Sequence, residues 1–357
     1  MTSQSRRGLI TGSLAGAAGL AAGGMIFGQP TAALAATEGL VVITPSGKKS
    51  GVEDHAAIQG ALSDVNRQVL LSAGEFYINQ PIVMRSNQRL IGAGAHATKI
   101  KQVGAGHGIT SVSDFAINYV TIAGLSMIGQ YDPDTAPPAN GPSGIRLVPG
   151  PAEGPSNITI EDCVVENWGD CGVYLTAVIA SRITRVQSAR NGGNGFYVTN
   201  TATAAATSLA FEACYALENK KNGYELDWVS YSTLNACAAD ATGGKRGYLL
   251  HGCASVTLTS CGAEEFTEEG FAVTNSRSCS LIGAFTYKGA KTGIRISGST
   301  VNQTIGGAVQ ADPKSVDKPS LTNFIVAEAG SSAVIWGVTR TSPDLLSEKV
   351  TNLDGSA

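Results

Sequence analysis

Charge is scarce in this 357-residue chain: Asp, Glu, Lys and Arg make up 15 %, with a formal balance of −3. A basic excess or basic tail is missing, which excludes the electrostatic footprint of a nucleic-acid-binding protein. Aromatic residues amount to 6 % and histidine occurs 4 times, so any face that gathers such residues stands out. After residue 35 no apolar run is long enough to span a bilayer. Helical periodicity is nearly missing as well. What remains is 43 % apolar with 44 glycines, the composition of a folded, turn-rich, β-prone chain rather than a disordered one.

Residues 1–35 read as a targeting segment. Arg6-Arg7 within Ser5–Ile10 is a twin-arginine signature, a small and apolar run extends from Leu9 to Phe27, and Ala33-Leu34-Ala35 forms an A-x-A cleavage site. Export through the twin-arginine pathway, to the periplasm or the exterior, is the expected destination, with no membrane association after cleavage. Loss of Arg6 and Arg7 leaves 23 basic against 28 acidic residues, a net −5. Seven cysteines are an odd number for an exported chain. The twin-arginine route usually carries proteins folded in the reducing cytoplasm, so buried thiols can stay unpaired.

A repeat dominates the rest. A glycine followed by a short alternating strand recurs at Gly172, Gly195, Gly223, Gly247, Gly270 and Gly293, with spacings of 23, 28, 24, 23 and 23. A second column, apolar-x-x-small, runs in step with it: Leu90–Ala93, Ile122–Leu125, Ile160–Cys163, Ile183–Val186, Phe211–Cys214, Leu234–Cys237, Leu258–Cys261 and Leu281–Ala284, continued by Thr304–Gly307 and Ile335–Val338. One such unit cannot bury its own apolar face and must stack on its neighbours. The two columns therefore predict a parallel β-helix. Cys163, Cys214, Cys237 and Cys261 share a column with Leu125, Val186 and Ala284, which marks them as an inward ladder of small side chains rather than a metal cluster. Cys171, Cys253 and Cys279 fall outside that column.

The expected organisation is a single domain over residues 36–357. It comprises a leader to residue 52, a capping helix over 52–68 with Ala57, Ile58, Ala61, Leu62 and Val65 on one face, main rungs over 69–310, and a last rung with a C-terminal cap over 311–357. Pro- and Gly-rich insertions at Gly129–Ser143 and Pro149–Ser156 are candidate walls of a binding face.

Gly51–Leu62, Leu71–Ile78 and Leu90–Gly94 together resemble the opening of the pectate-lyase-like superfamily. That resemblance implies an all-β, right-handed, single-stranded parallel β-helix, and it groups the chain with secreted polysaccharide lyases, glycoside hydrolases, alginate epimerases and phage tailspikes. A homotrimer is one assembly open to a chain of the tailspike type.

Alternation along each glycine-led strand turns the second and fourth residues after glycine outward. One exposed column then reads Arg146, Tyr174, Tyr197, Glu225, Leu249, Ala272, Arg295. The other reads Val148, Thr176, Thr199, Asp227, His251, Thr274, Ser297. Glu225, Asp227 and His251 form the centre of the patch. Asp227 beside His251 on the next rung would fix the imidazole tautomer for proton transfer. Tyr197 offers a phenol acid, Tyr174 a sugar-stacking ring, and Arg146 and Arg295 cations for sugar carboxylates. Basic residues in the turns (Lys220, Lys221, Lys245, Arg246, Lys288 and Lys291) form a ridge suited to an anionic polysaccharide, interrupted by Glu268 and Glu269.

The leading expectation is a lyase acting by β-elimination on a uronic-acid polysaccharide. A glycoside hydrolase using Glu225 and Asp227, about 6.7 Å apart by strand geometry, is a second; an Asp-Asp pair is lacking, and His107 reads as a turn residue. A non-catalytic carbohydrate-binding solenoid is a third. Gly223–Asp227 is faintly similar to an alginate-epimerase motif at Tyr224 and Asp227, although Tyr224 faces inward and Val229 stands where that motif has His. The residues assign no cofactor. A calcium ion (Ca2+) on Asp132 and Asp134 is the one metal option, and two carboxylates are a thin ligand set for it.

Overall fold

A computed structural model describes residues 40–64, 66–112, 116–150, 154–241, 244–311, 323–340 and 351–352. The targeting segment expected over 1–35 lies outside the described residues, as does most of the C-terminal cap expected over 311–357.

Among the described residues, three parallel sheets of 13, 11 and 10 strands hold nearly all the regular structure. The chain visits them in a fixed order. One turn runs through Val229–Asn235 in the 13-stranded sheet, Ala238–Asp240 in the 11-stranded sheet and Arg246–His251 in the 10-stranded sheet; Ala254–Thr259 then opens the next. Each strand pairs in parallel with its counterpart one period away, as Glu225 does with Leu249 and Asp227 with His251. The fold is an all-β, right-handed parallel β-helix.

The two sequence columns have separate physical causes. In the apolar-x-x-small column the third residue turns the corner between the 13- and 11-stranded sheets in the left-handed conformation, with φ of 51–53° at Asp162, Arg185, Ala213, Ala236 and Ser260. Non-glycine residues rarely adopt it, and here one residue per turn makes a sharp bend. The glycine column has a different origin, close approach. A Cβ on Gly195, Gly223 or Gly247 would lie 2.7 Å from the carbonyl oxygen of the next glycine in the column. Successive turns meet there with no room for a side chain.

Inside the coil, the residues that follow the glycines stack face to face. Phe196, Tyr224, Tyr248 and Phe271 form a ladder with ring centroids 4.8, 4.8 and 4.7 Å apart and interplanar angles of 7°, 3° and 3°. The buried phenol of Tyr248 donates to the carbonyl oxygen of Cys237 at 2.8 Å, so its polar end is satisfied. All seven cysteines are free and buried. Burial pushes the Cys163 thiol up to about 12. Cys253 and Cys279, outside the ladder, lie near the corner between the 10- and 13-stranded sheets. There their N–H groups donate to Ser276 Oγ (3.0 Å) and Gln303 Oε1 (3.2 Å).

Three expectations are corrected. The helix spans Val52–Ala61, not 52–68: it ends at Leu62, and a turn that includes Asn66 at φ 63° leads to the strand Gln68–Leu71, while Val65 lies outside the described residues. Its buried face is Asp54, Ile58 and Leu62, and Ala57 is exposed. Asp54 belongs inside because its carboxylate accepts N–H groups from Ser46 (2.7 Å) and Tyr77 (2.8 Å). The supposed leader contributes a strand: Leu40–Ile43 pairs with Gln68–Leu71, so the solenoid starts ahead of its helix. Finally, Ile305, not Thr304, pairs with Leu281. Gly307 takes the corner at φ 58° and Ala308 the buried small position.

Candidate functional site

The 10-stranded sheet carries the glycine-led strands, and its register follows the predicted columns, although Ala272 and Thr176, expected to be exposed, are buried. Arg146, Tyr174, Tyr197, Glu225, Leu249, Ala272 and Arg295 pair in succession. Thr176, Thr199, Asp227, His251, Thr274 and Ser297 form the neighbouring column. Val148 lies just past the strand Ile145–Leu147, where its N–H donates to Ser111 Oγ at 3.0 Å.

Asp227 and His251 are hydrogen-bonded, Oδ1 to Nδ1 at 2.7 Å. The far side of the ring fixes the tautomer. Asn275 Oδ1 accepts the Ser299 N–H at 3.1 Å, which aims the amide nitrogen at His251 Nε2, 3.4 Å away. Nε2 therefore faces a donor and carries the lone pair, while Nδ1–H is given to Asp227. The second Asp227 oxygen accepts from Thr199 Oγ1 at 3.3 Å.

Glu225 is held differently. Its Oε2 accepts from the amides of Asn194 (2.9 Å) and Asn222 (2.8 Å). These asparagines immediately precede Gly195 and Gly223, and the Asn222 N–H also donates to Asn194 Oδ1 at 3.0 Å. The carboxylate is built to receive hydrogen bonds. Both asparagines escaped the sequence reading, although a recurring Asn-Gly ahead of the strand was a visible signal.

Tyr197 stands one turn before Glu225. Burial pushes its phenol up to about 12, while a hydrogen bond with the Thr199 side chain pulls the other way. It keeps its proton at neutral pH and is placed to donate. Tyr174 packs beside it, with centroids 5.0 Å apart and planes at 59°. The Arg146 guanidinium lies over Tyr174, 5.1 Å from the ring centre.

Trp228 is a further residue that the sequence reading passed over. It takes φ 59°, is 52 % exposed, and stands edge-on to His251 at 5.8 Å and 76°. Its indole occupies the space a side chain at Gly252 would fill, since a Cβ there would come within 2.6 Å of the ring. The conformation itself belongs to the fold: the corner residue takes it on other turns too, at Ala177, Gly252, Asn275 and Gly298. The indole offers a sugar an apolar face.

The cations expected at both ends are not equivalent. Arg295 is tied to Glu328 (Nε to Oε1, 2.9 Å) and Glu269 (Nη1 to Oε1, 3.2 Å). Arg246 joins the same network through Glu269 (2.5 Å) and Glu268 (2.7 Å), and Lys288 pairs with Glu265 at 3.2 Å. The upper part of the expected basic ridge is thus an alternating charge ladder rather than open positive surface. Lys221 instead lines a cleft of about 270 Å³ with Pro137, Asn140 and Asp170. Asp132 turns back on its own loop, accepting the Asp134 N–H at 3.0 Å. Among the described residues, no three His, Cys, Asp or Glu side chains gather to hold a metal ion.

A protein family described as "Right handed beta helix region" matches residues 152–309. Curated protein sequences give no match. Among solved structures, the chain is similar to the open reading frame 18 protein of Geobacillus virus E2 (TM-score 0.65, 16 % identity, 84 % of this chain and 62 % of that one). It is also similar to the A-module of a mannuronan C-5 epimerase from Azotobacter vinelandii (0.62, 17 %, 85 % and 97 %). A third is the full-length tailspike protein 2 of an Escherichia coli O157:H7 bacteriophage (0.64, 12 %, 80 % and 40 %). The chain spans less than two thirds of the viral protein and of the tailspike, and nearly all of the epimerase module. At these identities the likeness is one of fold.

Proposed function

We propose that this chain is an exported polysaccharide lyase that cleaves a uronic-acid-containing glycan by β-elimination on the 10-stranded face. The observation that carries this reading is the Asp227–His251 hydrogen bond of 2.7 Å, which with the Asn275 amide leaves Nε2 carrying the lone pair. His251 Nε2 takes the proton from the carbon next to the sugar carboxylate. The electron pair of that C–H bond forms the new carbon–carbon double bond, and the glycosidic C–O bond breaks. Tyr197 gives its phenolic proton to the departing oxygen. The strands that carry base and acid lie one turn to either side of the Glu225–Asp227 strand, about 9.6 Å apart along the axis, so in this mechanism the imidazole and the phenol lean toward each other over one glycosidic bond.

In this reading the Asn275 amide, released from Nε2 when substrate enters, donates to the sugar carboxylate. Arg295 is spent on two glutamates and Arg146 lies farther along the groove. The hydrolase alternative has less support. It needs one carboxyl that donates a proton, yet Asp227 serves His251 and Thr199 and Glu225 Oε2 accepts from two amides. That one similar structure is a mannuronan epimerase supports a polyuronate as substrate class. Export through the twin-arginine pathway belongs to this proposal on the sequence of residues 1–35.

The test is incubation with a panel of polyuronates. Ultraviolet absorbance of an unsaturated product, lost in His251→Ala, supports the lyase. New reducing ends without that absorbance mean hydrolysis. Binding with neither signal means a non-catalytic solenoid.

A further inference from the structure

Four turns from His251 on the same sheet, two hydrogen-bond donors meet without an acceptor between them. The Ser143 backbone N–H donates to His107 Nδ1 at 2.9 Å. A backbone N–H can only donate, so Nδ1 carries the lone pair and Nε2 carries the hydrogen of the neutral ring. Yet Nε2 is 3.4 Å from Arg146 Nη1, and a guanidinium also only donates. Two donors aimed into one place need something negative between or beside them. Among the described residues, no carboxylate forms an ion pair with Arg146. Asp170 is the acidic group nearest in influence to His107, and its Oδ2 already accepts from Ser143 Oγ at 3.3 Å. Arg146 is held in place by Tyr174 beneath it.

We infer that His107 Nε2–H and the Arg146 guanidinium form a remote subsite for a glycan carboxylate, with Tyr174 as its floor. Arg146 receives the carboxylate through its planar fork and His107 completes the set. Burial and the Arg146 charge hold the His107 ring below its ordinary range, so it stays neutral and keeps this tautomer at neutral pH. The inference rests on the proposed polyuronate substrate and gives that substrate a direction and a length. A chain lying along the groove reaches from His251 to Arg146 over about 19 Å, four rung spacings. Oligomers too short to cover that span would lose the contact.

The experiment measures binding, not turnover. Oligouronates of increasing length are titrated by calorimetry into the mature Tyr197→Phe chain, which keeps the groove but lacks the proposed acid, and into the same chain with Arg146→Gln. The expected result is a rise in affinity of about tenfold at the length that spans the groove, removed by Arg146→Gln. Short oligomers should bind both chains alike. Carboxyl-reduced oligomers should show no such rise, and sulfated neutral oligomers separate a carboxylate subsite from a general anion subsite. Long oligouronates that bind equally with and without Arg146 would overturn the subsite and leave the lyase reading standing. Failure of every oligouronate to bind would overturn both. A step restored by sulfate esters alone would overturn the carboxylate assignment. Unchanged thermal unfolding of the Arg146→Gln chain guards against misfolding, and His107→Gln, which removes the Nε2–H donor, should weaken the same step.

Discussion

Asp227 and His251 sit in one outward column on successive turns, and the carboxylate receives the imidazole Nδ1–H at 2.7 Å. The pairing needs no helix and no loop. It follows from residues 24 positions apart in a coil whose period there is 24. Replacing Asp227 with Asn leaves the ring in place but removes the negative acceptor that fixes its tautomer. The expected effect is a fall in kcat with KM little changed, which steady-state kinetics separates directly. A rise in KM alone would assign Asp227 to binding.

Tyr197 gives a prediction with a sign. Its phenol goes from an ordinary 10.0 to about 12 in the folded chain. The folded state therefore holds the proton where the unfolded chain has released it. The associated stability is fully present below about pH 10 and is lost as the pH rises through about 12. Melting temperatures of the wild type should fall more steeply across that window than those of Tyr197→Phe. Equal slopes would contradict the burial of the phenol. On substrate, Tyr197→Phe should lower kcat by about 10²–10⁴-fold.

The inner ladder predicts where stability is concentrated. Tyr248 stacks between Tyr224 and Phe271 at 4.8 and 4.7 Å. Tyr248→Ala should cost about 3–5 kcal/mol in denaturant unfolding, from lost burial and the cavity left behind. Tyr248→Phe, which keeps the stack and loses the hydrogen bond to Cys237, should cost nearer about 1 kcal/mol.

The seven buried thiols should be silent in the native protein. A thiol reagent should label none before unfolding and all seven after it. Rapid native labelling of any of them would place that cysteine at the surface.

Much of this was legible in the chain because a solenoid writes its geometry into a period. Two columns in step gave the fold, and strand alternation gave the outward positions of Tyr197, Glu225, Asp227 and His251. The rest was hidden for physical reasons. Asn194, Asn222 and Asn275 act through side chains that reach across turns, so their partners are not set by alternation. The burial of Asp54 does not show in an apolar periodicity, because its use is to receive backbone N–H groups from Ser46 and Tyr77. Arg295 looked available because Glu328 lies beyond the regular repeat and Glu269 reaches it diagonally from the turn before. His107 looked like a turn residue, and only its contact with Ser143 fixes its tautomer.

The measurement closest to the central claim is the ultraviolet time course of polyuronate cleavage by the wild type and His251→Ala, on a substrate that both bind. The account predicts product absorbance from the wild type and a loss of about 10²–10⁴-fold in the variant at unchanged affinity. Equal rates from the two chains would contradict it, because the proton would then leave by another base.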